Sequence, residues 1–261
     1  IPGRYPGVLE DPEKGEVARS LFDDAQKMLE RIGTEDWIQP SARCGIFPAR
    51  RQGDDVSIQT DGGERVFHFL RQQSPKSNGR PALCLADYIA QSGDYLGCFV
   101  VQAGHGVSQR VQAYQDSGDD YNAILLESLA DRLAEACAEW LHHQVRTQIW
   151  GYASQEHATN EDLIAERYTG IRPAPGYPAC PDHTEKATLF EVLNAEETLG
   201  VSLTESMAIL PSAAVSGWYF AHPSAQYFGI GKIGEDQLED WAERKQISLD
   251  QAAKWLRPNL I

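Results

Sequence analysis

The chain has 261 residues, 42% of them hydrophobic and 23% charged, which is enough material for one large domain or two small ones with a sizeable core. A formal charge of −15 and a pI near 4.8 argue against a nucleic-acid binder, which needs clustered cations to displace counterions. No apolar run reaches membrane-spanning length, no signal peptide precedes the first helix, and the scattered Cys44, Cys84, Cys98, Cys137 and Cys180 read as thiols of a reducing compartment.

The chain opens at Ile1 without a Met, as expected of a fragment of something longer. Asp11-Pro12 predicts a helix start, with Val17, Leu21, Ala25, Met28, Leu29 and Ile32 as the apolar stripe ahead of Gly33. Cys44 to Pro48 and Asp55 to Thr60 read as short strands, and Asp61-Gly62-Gly63 turns the second into a hairpin with Arg65 to Arg71. The polar stretch from Ser74 to Pro81 predicts an exposed loop, Leu83 to Ala90 a short helix or turn, and Tyr95 to Ala103 a buried central strand.

The longest predicted helix runs from Asp119 to about Trp150. Its buried side is expected to carry Ile124, Leu125, Leu129, Leu133, Ala136, Cys137, Trp140, Leu141, Val145 and Ile149. Glu127, Asp131, Glu135 and Glu139 stand four residues apart on another face, where like charges repel. That acidic ridge is either a solvated face relieved by Arg132 or, in part, the counterpart of a cationic ligand.

Thr159 with Asp162 reads as a helix start, and Gly170 is placed to end that helix. From Gly170 to Lys186 the chain reads Gly-Ile-Arg-Pro-Ala-Pro-Gly-Tyr-Pro-Ala-Cys-Pro-Asp-His-Thr-Glu-Lys. Its four prolines fix φ near −65° and remove four backbone donors, so the segment is a stiff loop that can receive a ligand with little ordering entropy to lose. Asp182 or Thr184 can cap a helix running on through Leu189, Phe190, Leu193 and Glu197 to Gly200, and its N-terminus favours anionic groups. Arg172 offers donors suited to a carboxylate or phosphate, and Gly176 before Tyr177 lets a ligand approach the main chain; the plainer reading is a rigid connector whose Arg pairs with an acid. Ser206 to Leu210, Val215 to Ala221 and Tyr227 to Ile233 read as strands, the last two joined by a turn at His222 to Gln226. Glu235 to Lys245 and Leu249 to Leu256 are closing amphipathic helices. Together these elements predict an α+β fold: a single domain with a mostly antiparallel twisted sheet, flanking helices and one long central helix.

No Gly-x-Gly-x-x-Gly follows a strand, and there is no nucleophile elbow or paired-carboxylate signature, which argues against an ordinary Rossmann methyltransferase. Gly229-Ile-Gly231 fits close packing or close ligand approach. Cys180 and His183 are two metal ligands at close spacing without a second pair elsewhere.

The proline loop, with Leu-Thr-Glu-Ser at 203 to 206, Val-Ser-Gly-Trp-Tyr-Phe at 215 to 220, Ala-Asp-Arg-Leu-Ala-Glu-Ala at 130 to 136 and the terminal Trp-Leu-Arg-Pro-Asn-Leu, resembles cobalamin-dependent methionine synthase. The similar part is its C-terminal, S-adenosylmethionine-binding activation domain, and the likeness spans essentially the whole chain. The resemblance implies a shallow groove presenting S-adenosylmethionine to a corrin carried on another module of the same enzyme. There a flavodoxin-type donor returns one electron to inactive Co(II), and methyl transfer traps the Co(I). It implies that Arg172 holds the ligand carboxylate, that main-chain atoms around Pro173, Ala174 and Gly176 hold adenine and ribose, and that Glu135 takes the ammonium. Tyr227 would reach the ligand, with Phe228 standing where relatives often have Tyr, so that only a backbone or ring contact survives there. Tyr177, Asp131 and His183 would face the cobalamin module. The family's domain begins earlier, with an Asp-bearing segment that also contacts S-adenosylmethionine, and its cobalamin, homocysteine and folate motifs are not in this chain; alone it is not expected to make methionine. A free-standing methyltransferase and a non-catalytic flavodoxin-docking domain are the other classes, the latter needing a basic patch for which Arg43, Arg50 and Arg51 are candidates.

Overall fold

The computed structural model describes residues 3–74, 79 and 81–261, so the expected loop from Ser74 to Pro81 lies largely outside the described residues. Helix α1 (Gly15–Thr34) leads into strands β1 (Ser41–Gln52), β2 (Asp55–Thr60) and β3 (Gly63–His68). After a 3₁₀ turn at Leu85–Tyr88 comes β4 (Asp94–Gln102), then α2 (Val107–Asp116) and the long α3 (Asp120–Gln144), which ends in a π-turn at Val145–Ile149. Then follow α4 (Asn160–Ile164), α5 (Glu185–Leu193), α6 (Ala195–Leu199), the two-residue strands β5 (Ser202–Leu203) and β6 (Ile209–Leu210), β7 (Ala214–Tyr219), and helices α7 (Glu235–Lys245) and α8 (Leu249–Leu256).

The sheet is five-stranded and antiparallel in the order β3-β2-β1-β4-β7, which is the α+β arrangement expected. Strand alternation sorts β4 between two layers. Leu96, Cys98 and Val100 join Trp218, Leu189 and Leu193 on the α5 side, whereas Phe99 and Val101 join Tyr219, Ala138 and Leu141 on the α3 side. A further cluster knits α1, α2 and the N-terminal half of α3, and another packs α7 and α8 on Leu70, Ile230 and Ile233.

Several expectations are corrected by packing. On α3, Leu125, Leu129 and Leu141 are buried as expected, as is Val145 just beyond its end, but the core-facing side also runs through Ala123, Leu126, Ala130, Ala134 and Ala138, while Ile124, Trp140 and Ile149 are more than half exposed and Ala136 also faces out. Small alanines let the helix lie close on the sheet, a preference that residue hydrophobicity alone does not reveal. In α1, Met28 and Ile32 are buried but Val17 and Leu21 are exposed, and Asp11 accepts from the backbone of Glu13 and Lys14 one turn ahead of the helix. The capping box of Thr159 and Asp162 forms, yet α4 ends at Ile164 and not at Gly170. The helix expected to reach Gly200 breaks at Asn194, which takes a left-handed φ of 48°.

The segment from Tyr227 to Ile233 is not a strand. The outer edge of β7 is already taken: Ile171 and Phe220 exchange backbone hydrogen bonds at 3.0 Å, and Trp218 N–H donates to the Pro173 carbonyl at 3.0 Å. With no ladder left to join, Ile230 N–H donates to the Pro178 carbonyl at 2.8 Å and the Gly229 carbonyl accepts from Gln72 at 2.6 Å. The predicted strand from Ser206 is likewise reduced to Ile209–Leu210, paired with Ser202–Leu203.

Candidate functional site

The proline loop is held at both ends. Its first residues extend the sheet beyond β7, and Gly217 makes that possible, because a Cβ there would lie 2.3 Å from the Pro173 carbonyl oxygen. In the middle, Gly176 (φ +90°) donates to the Cys180 carbonyl at 2.7 Å, Tyr177 N–H to Ala174 and Cys180 N–H to Tyr177, folding the segment into a tight turn. At its end, Asp182 accepts from the Thr184 backbone and hydroxyl at 2.8 Å instead of capping α5 directly. Lys245 of α7 donates to Asp182 at 2.7 Å and to Thr184 and Glu185 at 2.6 Å each. Both carboxylates are only 1% exposed, so the single cation offsets part of the cost of burying them together. Burial opposes the charge of Lys245, but Glu185 and Asp182 raise its pKa above the ordinary value.

Between this loop and α3 runs a trough with two lobes. The larger, about 470 Å³, is lined by Arg172, Pro173, Ala174, Tyr177, Glu135, Tyr227 and Phe228, with Phe99, Ala138, Val215, Pro178, Ala179 and Glu166 completing its walls. The smaller, about 320 Å³, holds Gly176, Asp131 and His183 beside Arg132, Lys186 and Ser212 to Ser216. Glu135, Ala174, Tyr177 and Val215 line both. The residues expected to meet S-adenosylmethionine or the cobalamin module therefore all line one or other lobe. Half-exposed Tyr177 stands at the divide, its hydroxyl donating to Glu135 across 3.4 Å.

The chemistry of the larger lobe is that of an amphipathic cleft with charges at its ends. Arg172 forms an ion pair through Nη2 with Glu139 at 2.7 Å and donates through Nη1 to the Tyr168 hydroxyl at 2.7 Å, while its backbone N–H donates to the Tyr227 hydroxyl at 3.0 Å. Burial opposes its charge, yet Tyr168, Tyr227 and Glu139 hold the guanidinium above its usual pKa, so it stays a cation. The connector reading is thus half right, since Arg172 does pair with an acid, in a half-buried cleft. Burial likewise pushes up the phenols of Tyr177 and Tyr227. In the smaller lobe, His183 accepts from Lys186 at 2.9 Å; burial and that neighbouring cation lower the imidazole pKa, so the ring is neutral near pH 7.

Three acids of the α3 ridge have distinct surroundings: Asp131 is exposed, Glu135 half-buried in the trough, and Glu139 engaged with Arg172. Glu166 reaches the cleft from a residue at φ 53°, and no sequence pattern marks it. Cys180 is buried, its thiol pushed well above the ordinary pKa by burial and by Asp182 and Glu185, and no group of three or more metal-ligating side chains occurs among the described residues. Arg43, Arg50 and Arg51 do not form one patch. Arg50 pairs with Glu64 at 2.9 Å, Arg51 with Asp87 at 3.0 Å, and Arg43 lies about 25 Å along β1. No helix of the described residues is long and apolar enough to cross a membrane.

The family described as vitamin B12 dependent methionine synthase, activation domain, matches residues 1–246. A solved structure, the MetH reactivation domain bound to AdoHcy, is 48% identical and superposes with a TM-score of 0.94, covering 100% of this chain and 82% of its own. The overall fold thus recurs in a relative of 48% identity, and the chain belongs to the activation-domain family of the vitamin B12-dependent methionine synthases.

Proposed function

We propose that residues 1–261 act as one S-adenosylmethionine-binding unit, which holds the ligand along the trough with its methyl turned outward to a corrin on another module of the same enzyme. The observation that carries this reading is the placement of the Arg172 guanidinium and the Glu135 carboxylate in one cleft, with Ala138, Val215 and Phe99 providing apolar wall between them. An amino-acid zwitterion joined to a nucleoside fits that pattern: carboxylate to Arg172, ammonium to Glu135, adenine and ribose along the main chain of Pro173, Ala174 and Gly176. Tyr227 closes the cleft beside Arg172, and Phe228 contributes ring and backbone only. The AdoHcy bound to the related reactivation domain supports this assignment.

In this reading Tyr177, Asp131 and His183 face the cobalamin module from the smaller lobe. When bound, the cobalamin of that module would supply the cobalt nucleophile, with a flavodoxin-type partner as the source of the electron. This chain's residues contribute position: displacement at a sulfonium needs no proton, so Arg172, Glu135 and the stiff loop act by orienting the methyl. The domain by itself makes no methionine.

Calorimetric titration of S-adenosylmethionine into the chain and into Arg172→Ala tests the assignment. Loss of a charge-assisted pair predicts at least about tenfold weaker binding for the variant, and equal affinities would remove the site.

A further inference from the structure

Behind Arg172 lies a buried group of charges that ligand binding alone does not explain. Arg146, with no exposed surface, projects from the π-turn and donates through Nε and Nη2 to Glu156 at 2.8 and 2.7 Å. Its guanidinium stacks 3.9 Å from the centre of the Tyr168 ring. The remaining nitrogen, Nη1, has no hydrogen-bond acceptor among the described residues; 3.9 Å away is Glu139 Oε1, a buried oxygen that has no donor. The other oxygen of Glu139 is the one that forms the ion pair with Arg172, at 2.7 Å. One carboxylate therefore stands between two guanidinium groups, in close ion pair with the first and a short step from the second.

We infer that Glu139 is an exchangeable counter-ion: it neutralises Arg172 when the cleft is empty and passes to Arg146 when a ligand carboxylate takes its place. The inference rests on the reading that Arg172 receives that carboxylate. Two carboxylates on one half-buried guanidinium repel each other, and the unmet donor of Arg146 offers the displaced one a bond after a shift of about 1 Å. Little further desolvation is involved, because Glu139 Oε1 and Arg146 Nη1 are already out of water. Tyr168, stacked under Arg146 and bonded to Arg172, keeps the receiving guanidinium in place throughout. Glu139 is in this sense a positioning residue that sets how strongly the site selects for a carboxylate.

The test titrates the chain with S-adenosylhomocysteine and with its decarboxylated counterpart, and reads the ratio of the two affinities, which cancels shared effects on the nucleoside and ammonium. Arg172→Ala should collapse that ratio toward one; if it does not, the carboxylate binds elsewhere, and both the site reading and the exchange fall. Where Arg172→Ala behaves as expected, Glu139→Gln should raise the ratio about fivefold, because a neutral amide competes less well for Arg172. A ratio that is unchanged or lower would overturn the exchange alone and leave Glu139 a fixed brace. A crystal structure of the chain with S-adenosylhomocysteine reads the same point without mutation. Glu139 within hydrogen-bond distance of Arg146 Nη1 is the expected result, and Glu139 still bonded to Arg172 overturns it.

Discussion

Gly176 shows how much of the site hangs on single residues. It sits at φ +90°, and a Cβ there would lie 2.2 Å from the His183 ring, which itself accepts from Lys186. Gly176→Ala therefore adds backbone strain and displaces the ring, and stability should fall by about 1–3 kcal/mol. Denaturant unfolding measures this, and an unchanged midpoint would mean that the loop relaxes freely. Arg172, Tyr177 and Glu135 were legible as site candidates from the proline-stiffened loop and the periodic acidic helix, whereas Tyr227 and His183 were candidates through family likeness alone. Glu139 was visible only as one more acid of that ridge. Tyr168 and Glu166 carry no local signal, since their roles arise from side chains that meet across the fold.

At the scale of elements, the loop is a device for joining layers: its start extends the sheet past β7 and its end is fastened by α7. Lys245 is the fastening, reaching Asp182, Thr184 and Glu185 from one ammonium group. Lys245→Ala leaves two buried carboxylates without their cation and should cost about 3–5 kcal/mol, read as a lower Tm. A Tm within a degree of the parent's would show that water replaces the lysine. The helices α7 and α8 were predicted with their boundaries as observed, because capping and amphipathic periodicity are local. The strand expected at Tyr227 to Ile233 failed for the opposite reason: its alternation was adequate, but the edge it needed had been occupied by Ile171 and Pro173.

For the whole molecule, the consequential titration is that of His142. The ring is fully buried, stacked on Tyr219 at 5.0 Å and within 3.2 Å of the Tyr152 hydroxyl. Burial, then Arg146, Arg172 and His143, hold its pKa well below the usual 6.5. In the unfolded chain this histidine takes a proton near pH 6.5, whereas in the fold it does not, so the unfolded state binds more protons as pH drops below that value. Stability should therefore rise with pH up to about 7 and level off above it. His183, also lowered, acts with the same sign. Glu185, whose pKa burial raises despite Lys245, acts with the opposite sign as pH climbs out of the carboxylate range. His142→Gln should flatten the change in Tm between pH 5 and 7 relative to the parent, and parallel profiles would exonerate this residue.

The amino-acid sequence alone determined the stiffness of the Gly170 to Lys186 loop, the hairpin of β2 and β3, the central strand, the closing helices and the family. All of these follow from backbone torsion limits, short-range periodicity or contiguous motifs. Tertiary structure decided which face of α3 lies on the sheet, which segment takes the free edge of β7, and how Arg172, Glu139 and Arg146 share their charges. Competition for a strand edge and pairing of buried ions depend on which groups packing brings within about 3–4 Å of one another, and no local stretch of residues contains that information.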